Sequence, residues 1–268
     1  MRKMSLDEMK KIQFDILVDV ARFCEENSIR YYLTYGTLLG AVRHKGYIPW
    51  DDDIDIMMPR PDYMKFLEKY NKRISNYRAL SYYMDPKYPR LFTRVGDLRT
   101  RLKEKFDYEN EGVSIDVFPL DGIPKYGFSI YSGIIMVLRS MLQIHYLKSV
   151  SNKSVLKKCL TSMIAKMPFC LYQLCLNMED YLLRFSSYDN SEKVALLIML
   201  APERREVFEK ATLEKNMKFE FEGNLFSIPY VYDSVLKILY GDYMQLPPEC
   251  ERVSKHLVEC SVEAFYKE

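Results

Sequence analysis

The chain has 268 residues, 48% of them hydrophobic and 28% charged, with a net charge of +2. That is globular composition, long enough for one large domain or a core with a subdomain. The near-neutral balance gives no global attraction to nucleic acid, and the opening Met1-Arg2-Lys3-Met4-Ser5-Leu6 lacks the apolar core of a secretory leader.

Residues 5–28 read as an amphipathic helix. Ser5 and Glu8 form a capping box, and Ile12, Ile16, Leu17, Val20 and Phe23 supply the apolar stripe. Residues 31–35 are aromatic and β-branched, which predicts a strand. Gly36-Thr37 follows as a tight turn, and Thr37 is placed to cap a short apolar helix over Leu38–Val42. Strand, glycine turn and helix N-terminus together suit a phosphate. Arg43, His44 and Lys45 then read as a basic loop able to neutralise phosphate charge.

The acidic run Asp51-Asp52-Asp53-Ile54-Asp55-Ile56 drops into a strand expected over 53–58. On period-two geometry Asp51, Asp53 and Asp55 share a face, about 6.5 Å apart from one to the next. That spacing suits one or two hard divalent cations, Mg2+ or Mn2+, which relieve the repulsion between like charges. Asp52 has the other parity and reads as solvent-facing or capping. A Gly-Thr turn followed by Asp-x-Asp has the order of a nucleotidyltransferase site.

Further along, residues 59–70 read as a helix, and 79–84, 91–97, 99–105 and 112–118 as strands. Asp116 in the last of these is the third carboxylate, a metal ligand or a general base. Asp121 reads as a turn residue, with Pro119, Gly122 and Pro124 ending the block. Arg94, Arg99 and Arg101 are further candidates for phosphate charge. Trp50, the one tryptophan, with Tyr31, Tyr35, Tyr47, Tyr82 and Tyr83, could face a quaternary ammonium.

No Asp or Glu occurs from Ile123 through Met178, a stretch with Lys125, Arg139, Lys148, Lys153, Lys157, Lys158 and Lys166. Residues 128–186 read as mostly helical. Leu156, Cys159, Leu160, Met163, Ile164 and Met167 form one face, with Lys153, Lys157 and Lys158 toward the other. This segment either lies on an anionic membrane surface or packs its apolar face on the catalytic sheet. Arg139 interrupts the apolar run 130–138 before a span of about 20 residues is reached, so no transmembrane helix is expected. The last part mixes short elements with a helix near 229–240. The six cysteines form no Cys-x-x-Cys pair and are expected to be reduced and buried; Cys250, His256 and Cys260 fit no common zinc spacing.

The run from Gly36 to Ile56, above all Gly36-Thr37-Leu38-Leu39-Gly40 and Trp50-Asp51-Asp52-Asp53-Ile54-Asp55, resembles the signature of the LicD family. The resemblance continues at Ser114–Asp121, Phe221-Glu222-Gly223, Ile228-Pro229, Tyr240-Gly241-Asp242-Tyr243 and Leu246-Pro247-Pro248. It implies an α/β (α+β) nucleotidyltransferase fold, a mixed sheet flanked by helices. A catalytic core over 1–124 and a C-terminal section over 201–268 would then complete one domain around a mostly helical insertion over 125–200. It also implies transfer of phosphocholine from CDP-choline to a sugar hydroxyl of a lipid-linked cell-surface glycopolymer such as teichoic acid, with release of CMP. The expected location is cytoplasmic, or peripheral on the inner face of the plasma membrane. On this reading Asp53, Asp55, Asp116 and Asp51 are catalytic, the first three hold metal, and Gly36, Thr37, Arg43, His44, Lys45 and Trp50 bind substrate. Other CDP-alcohols (ribitol, glycerol or ethanolamine) and a non-catalytic membrane adaptor are the alternatives.

Overall fold

A computed structural model describes residues 2–103, 111–148, 154–201, 206–253 and 261–264. The chain forms two compact units, one from residues 1–120 with 208–268, the other from 121–207. The larger unit begins with β1 (Arg2–Lys3), α1 (Leu6–Glu26), β2 (Tyr32–Leu33), α2 (Tyr35–His44) and β3 (Asp55–Pro59). It continues through α3 (Arg60–Tyr70), β4 (Tyr77–Leu80), β5 (Thr93–Asp97), β6 (Thr100–Lys103) and β7 (Ser114–Gly122). The smaller unit holds α4 (Phe128–Leu147), α5 (Val155–Ala165), α6 (Phe169–Leu183) and β8 (Lys193–Ala195). After it come β9 (Val207–Glu209), α7 (Lys210–Leu213), β10 (Asn216–Phe221), β11 (Asn224–Pro229), α8 (Tyr232–Tyr240) and β12 (Ser261–Ala264).

The main sheet runs β2-β3-β7-β5-β4. Only β3 and β7 are parallel; the other pairs in that run are antiparallel. The mixed α/β class expected from the sequence is what forms. β3 is buried from Ile56 onward on both faces, as a central strand with a parallel neighbour must be. β10 and β11 make a hairpin whose tip is Glu222-Gly223, and β1-β12-β6 form a small separate sheet.

The capping box at α1 forms as expected: the Glu8 amide donates to Ser5 Oγ at 3.2 Å and the Ser5 amide to Glu8 Oε2 at 2.9 Å. One face of α1 then enters the core through Ile16, Leu17, Val20 and Phe23. Buried Asp19 on the same helix accepts from Tyr70 and is paired with Arg73, whose guanidinium also lies 4.1 Å from the Tyr70 ring centroid. This ties α1 to the end of α3.

Several expected boundaries move. The helix after β2 starts at Tyr35, so Gly36 and Thr37 lie inside its first turn, not before it. Thr34 is the N-cap residue, and the Thr37 hydroxyl accepts from the Asp55 amide at 2.8 Å in place of capping. Arg43 and His44 are the last helical turn and Lys45 is its left-handed C-cap, so they are not a loop. The strand expected at 53–58 begins at Asp55, and that expected at 79–84 is Tyr77–Leu80. β7 runs on through Pro119 to Gly122, which places Asp121 in a strand paired with Ala195, buried and not in a turn. β5 stops pairing at Val117, so the missing amide of Pro119 falls where that edge of β7 is already open. Residues 104 and 105 of the expected strand 99–105 lie outside the described ones, as do Lys153, His256 and Cys260.

In the smaller unit the three helices appear where helical structure was expected. α4 runs unbroken through Arg139, and its 20 residues are long and apolar enough, by length and composition, to cross a membrane. Arg139 does not end the apolar run because its charge turns inward: Nε donates to Glu179 Oε1 at 3.0 Å and Nη2 to the Leu197 carbonyl at 2.5 Å. Cys24 and Cys175 are buried as expected, whereas Cys159, Cys170 and Cys250 are exposed. Cys159 and Cys170 lie on α5 and α6 away from the positions those helices bury, and Cys250 lies in a short turn that buries nothing.

The close approach of β5 to the segment before β7 yields a stability test. A Cβ at Gly96 would lie 1.9 Å from the Glu111 carbonyl oxygen, whereas one at Gly133 inside α4 meets nothing within 4 Å. Gly96→Ala is expected to destabilise by about 3 kcal/mol through overpacking against backbone, lowering Tm by roughly 6–12 °C. Gly133→Ala should raise stability by about 0.5–1 kcal/mol through helix propensity. Calorimetric melting of both variants measures this, and a Gly96→Ala protein that melts with the parent would refute the packing argument.

Candidate active site

The acidic run enters β3 through a turn in which the Asp51 amide donates to the Ile48 carbonyl at 2.9 Å. Residues 51–54 are not strand, so the period-two argument fails there. Asp52 is 4% exposed, not solvent-facing, and its carbonyl accepts from buried Gln13 Nε2 at 3.0 Å. The same amide nitrogen donates to the Ser114 carbonyl at 3.3 Å, so α1 pins the acidic run beside β7. One side-chain oxygen from each of Asp51, Asp52 and Asp53 falls within 4.8 Å of the others.

Asp55 is held at both ends of its peptide. Its amide donates to Thr37 and its carbonyl accepts from the Thr34 amide at 3.1 Å. In the parallel register Asp55 stands directly opposite Asp116, whose amide donates to the Ile54 carbonyl at 2.9 Å. Two carboxylates at one level on adjacent strands share a face about 4.8 Å apart at the backbone. A Cβ at Gly36 would lie 2.3 Å from Asp51 Oδ2, so only glycine leaves room for that carboxylate against the first turn of α2.

Crowding shows in the protonation equilibria. Burial, then Asp51 and Asp116, pushes the Asp53 carboxyl up to about 8. Burial, then Asp53, Asp116 and Asp51, holds Asp55 well above the usual carboxylate range. Asp51 is raised by burial and by Asp52, and shares a hydrogen bond with Asp53. Oxygen donors this close, raised first by burial and then by one another's charge, fit a hard divalent cation.

Asp51, Asp53 and Asp55 floor a cavity of about 850 Å3. Tyr35, Gly36 and Arg43 of α2 line it, as do Trp50 and, from the far end of the chain, Tyr240, Asp242, Tyr243 and the Leu246-Pro247-Pro248 turn. Arg43 joins the two walls: Nη1 donates to the Tyr243 carbonyl at 2.8 Å and to the Gln245 carbonyl at 3.5 Å. His44 accepts from Arg43 Nε at 3.0 Å, and burial and that guanidinium lower its pKa, so it is neutral at pH 7. Lys45 is exposed and does not line the cavity. The Trp50 ring meets His44 edge-on and carries the Arg252 guanidinium at 5.6 Å.

Of the other sequence candidates, Tyr31 is buried in the core and Tyr47 donates to the Lys10 carbonyl at 2.9 Å. Tyr83 accepts from Arg60 at 2.9 Å and packs on Tyr82. Arg99 is bound to Asp97, and Arg101 is exposed on β6. Arg94 is the one that reaches the carboxylates. Its Nε donates to Asp116 Oδ1 at 3.0 Å and its Nη1 to buried Glu111 Oε2 at 2.7 Å; Glu111 also pairs with Arg90.

Three groups were not singled out from the sequence. Glu111 carries no local signal, since its role is to hold Arg94. Lys10 lies over the Tyr47 ring near Asp51, with its pKa lowered by burial although Asp51 and Asp7 oppose the shift. Tyr240 lies on a recognised motif; burial and then Asp55 and Asp51 push its hydroxyl up.

Residues 28–131, which hold all five aspartates, match the family model of the LicD/FKTN/FKRP nucleotidyltransferase domain. They are a LicD-family domain. The chain is also 29% identical over 277 residues to the lipopolysaccharide cholinephosphotransferase LicD of Haemophilus influenzae, covering 98% of this chain and all of that one. An uncharacterized protein of Rickettsia typhi is 30% identical over 141 residues, 47% of this chain and 45% of its own. The LicD match stops before the cavity's second wall at 240–253, whereas the alignment to the Haemophilus protein runs nearly the length of this chain.

Raised carboxylates predict an unusual pH dependence for the metal-free LicD domain. Asp53 in the native state keeps its proton up to about 8, whereas in the unfolded chain it titrates near the ordinary value of about 3.9. Between those values the native state binds more protons, so stability falls as pH rises. In chelator, Tm should decline from pH 5 to pH 8, Asp53→Asn should flatten that decline, and Mg2+ at pH 8 should restore the loss. A flat or rising wild-type profile in chelator would remove the case for a crowded, cation-relieved site.

Proposed function

We propose that this protein transfers phosphocholine from CDP-choline to a hydroxyl of a lipid-linked cell-surface glycan precursor and releases CMP. The observation that carries this reading is the row of Asp51, Asp53 and Asp55 at the floor of a cavity whose other wall comes from the C-terminal motifs, with Asp116 in register beside Asp55. The Haemophilus relative's name supplies the phosphocholine and the glycan. A CDP-linked donor suits a cytoplasmic location, and a teichoic-acid-like precursor is the acceptor class expected from the sequence. In this scheme residues 1–124 with 201–268 are catalytic, and 125–200 is a helical insertion.

The acceptor oxygen attacks the phosphorus that bears choline, and the bond from that phosphorus to the CMP oxygen breaks. When bound at Asp53, Asp55 and Asp116, with Asp51 adjoining, Mg2+ or Mn2+ supplies positive charge to the phosphoryl oxygens. Gly36 keeps the α2 end of the cavity open to the donor, and the hydroxyl of Thr37 fixes the backbone of Asp55. Arg43 faces the cavity with donors beyond the two carbonyls it holds, which suits the leaving CMP phosphate. Arg94 orients Asp116 through its Nε–H bond to Oδ1, which suits either a ligand or a base that accepts the hydroxyl proton. His44, held neutral, contributes a hydrogen bond and no charge, and exposed Lys45 contributes at most to the field outside.

A second reading keeps the reaction and changes the alcohol to ribitol, glycerol or ethanolamine. It is favoured by one observation: Arg252 already covers the Trp50 ring that a quaternary ammonium would use. Incubation of purified protein with Mg2+, acceptor glycan and a panel of CDP-alcohols, read by mass spectrometry, decides between them. CMP from CDP-choline alone is the expected result, and CMP from no donor would leave the non-catalytic adaptor.

Asp53→Asn and Asp55→Asn should each lower turnover on the order of 10²–10³-fold or more with little change in folding. Wild-type-like turnover of either at saturating Mg2+ would overturn the assignment. Asp116→Asn separates its two roles. A base loses turnover with metal affinity kept, and a ligand loses both.

A further inference from the structure

α4, α5 and α6 are apolar on the side that packs and on the side that does not. Ile135 and Leu142 of α4, and Tyr172, Leu176 and Leu183 of α6, are buried. Yet Ile130, Ile134 and Val137 recur at i, i+4 and i+7 on α4 and are exposed, Ile130 by 74%. Leu156, Leu160 and Met163 repeat that spacing on α5 and are exposed too. On α6, Leu174, Met178 and Tyr181 lie at i, i+4 and i+7, and Phe185 follows just past its end, each between 47% and 63% exposed. A helix in contact with water carries polar residues on that face. Three neighbouring helices break this rule in the same manner, the mark of a surface that meets something other than water.

Charge selects what covers it. No acidic residue occurs from Ile123 through Met178. The next two acids, Glu179 and Asp180, are buried and paired with Arg139 and Arg184. Lys157, Lys158 and Lys166 are exposed on or beside α5. Two copies of this surface laid face to face would oppose lysine to lysine with no carboxylate between them, which disfavours a symmetric dimer. An apolar layer overlaid by negative charge matches both features at once. We propose that the exposed stripes of α4, α5 and α6 dock on an anionic lipid bilayer, the side chains entering the acyl boundary and the lysines meeting the headgroup phosphates. The inward ion pair of Arg139 with Glu179 keeps α4 in the helical unit, so the unit lies on the leaflet.

The test is flotation of the full-length protein with phosphatidylcholine vesicles and with vesicles that also contain phosphatidylglycerol. Binding is read without turnover, so its outcome stands apart from the reaction proposed above. The wild type should float with anionic vesicles and weakly with neutral ones. Lys157→Glu with Lys158→Glu should weaken anionic binding on the order of 10²-fold or more, with the neutral background unchanged. Ile134→Gln, Met163→Gln and Met178→Gln together should weaken binding to both, and circular dichroism and Tm confirm that the variants are folded. A wild type that does not float, or that floats equally well in both variant sets, overturns the proposal. Loss of a dimer in the glutamine variant, with no flotation of the parent, would assign the stripes to a second copy instead.

Discussion

Repulsion among carboxylates is the constraint around which the larger unit is built. Asp51, Asp52, Asp53, Asp55 and Asp116 converge in a partly enclosed place, and like charges at such separations favour unfolding or protonation. The fold answers with backbone restraint. Thr37 and Thr34 hold Asp55, Gln13 reaches across to the Asp52 carbonyl, and the Asp116 amide is bound to Ile54. Each is a hydrogen bond to the main chain near a carboxylate, so the backbone is fixed while Asp51, Asp53 and Asp55 face one cavity. Rigid placement of negative charge is how a protein pre-organises for a cation without waiting for one.

The same constraint explains where cations of the protein itself are found. Arg94 is shared between Asp116 and buried Glu111, so a second acid limits how much of its charge acts on the first. Arg90 balances Glu111 in turn. A lone arginine on Asp116 would quench the site, and a chain of alternating charges tunes it. Lys10 and Arg43 stand at the edges, bound to carbonyls, where they shape the cavity wall without pairing directly with an aspartate.

How much of this was legible in the residues follows from range. The α1 capping box, the mixed α/β class and the transferase family are local or motif signals, and all are found. The parity argument for Asp51, Asp53 and Asp55 failed across residues 51–54, Asp52 included, because Pro49 and the Asp51 turn delay the start of β3, whereas Asp55 and Asp116 do sit in strands, in register. Gly36-Thr37 looked like a turn because glycine and threonine favour one. Tertiary contact with the Asp51 carboxylate and the Asp55 amide instead recruits both into a helix. Glu111 and Lys10 could not be found, since what defines them is a partner far along the chain. Arg139 misled for a related reason: a charge ends an apolar run only if it faces outward, and Glu179 lies 40 residues away.

The bond from Arg43 to the Tyr243 carbonyl spans 200 residues of sequence. During synthesis at about 5–20 residues per second, one end of that bond leaves the ribosome on the order of 10–40 s before the other. Through that interval the acidic floor has no second wall. The nascent chain therefore carries an open half-site whose acidic residues meet solvent rather than the facing wall. Closure is a long-loop event with the entropy that implies, so competence for substrate arrives last, with the turn at Leu246-Pro247-Pro248.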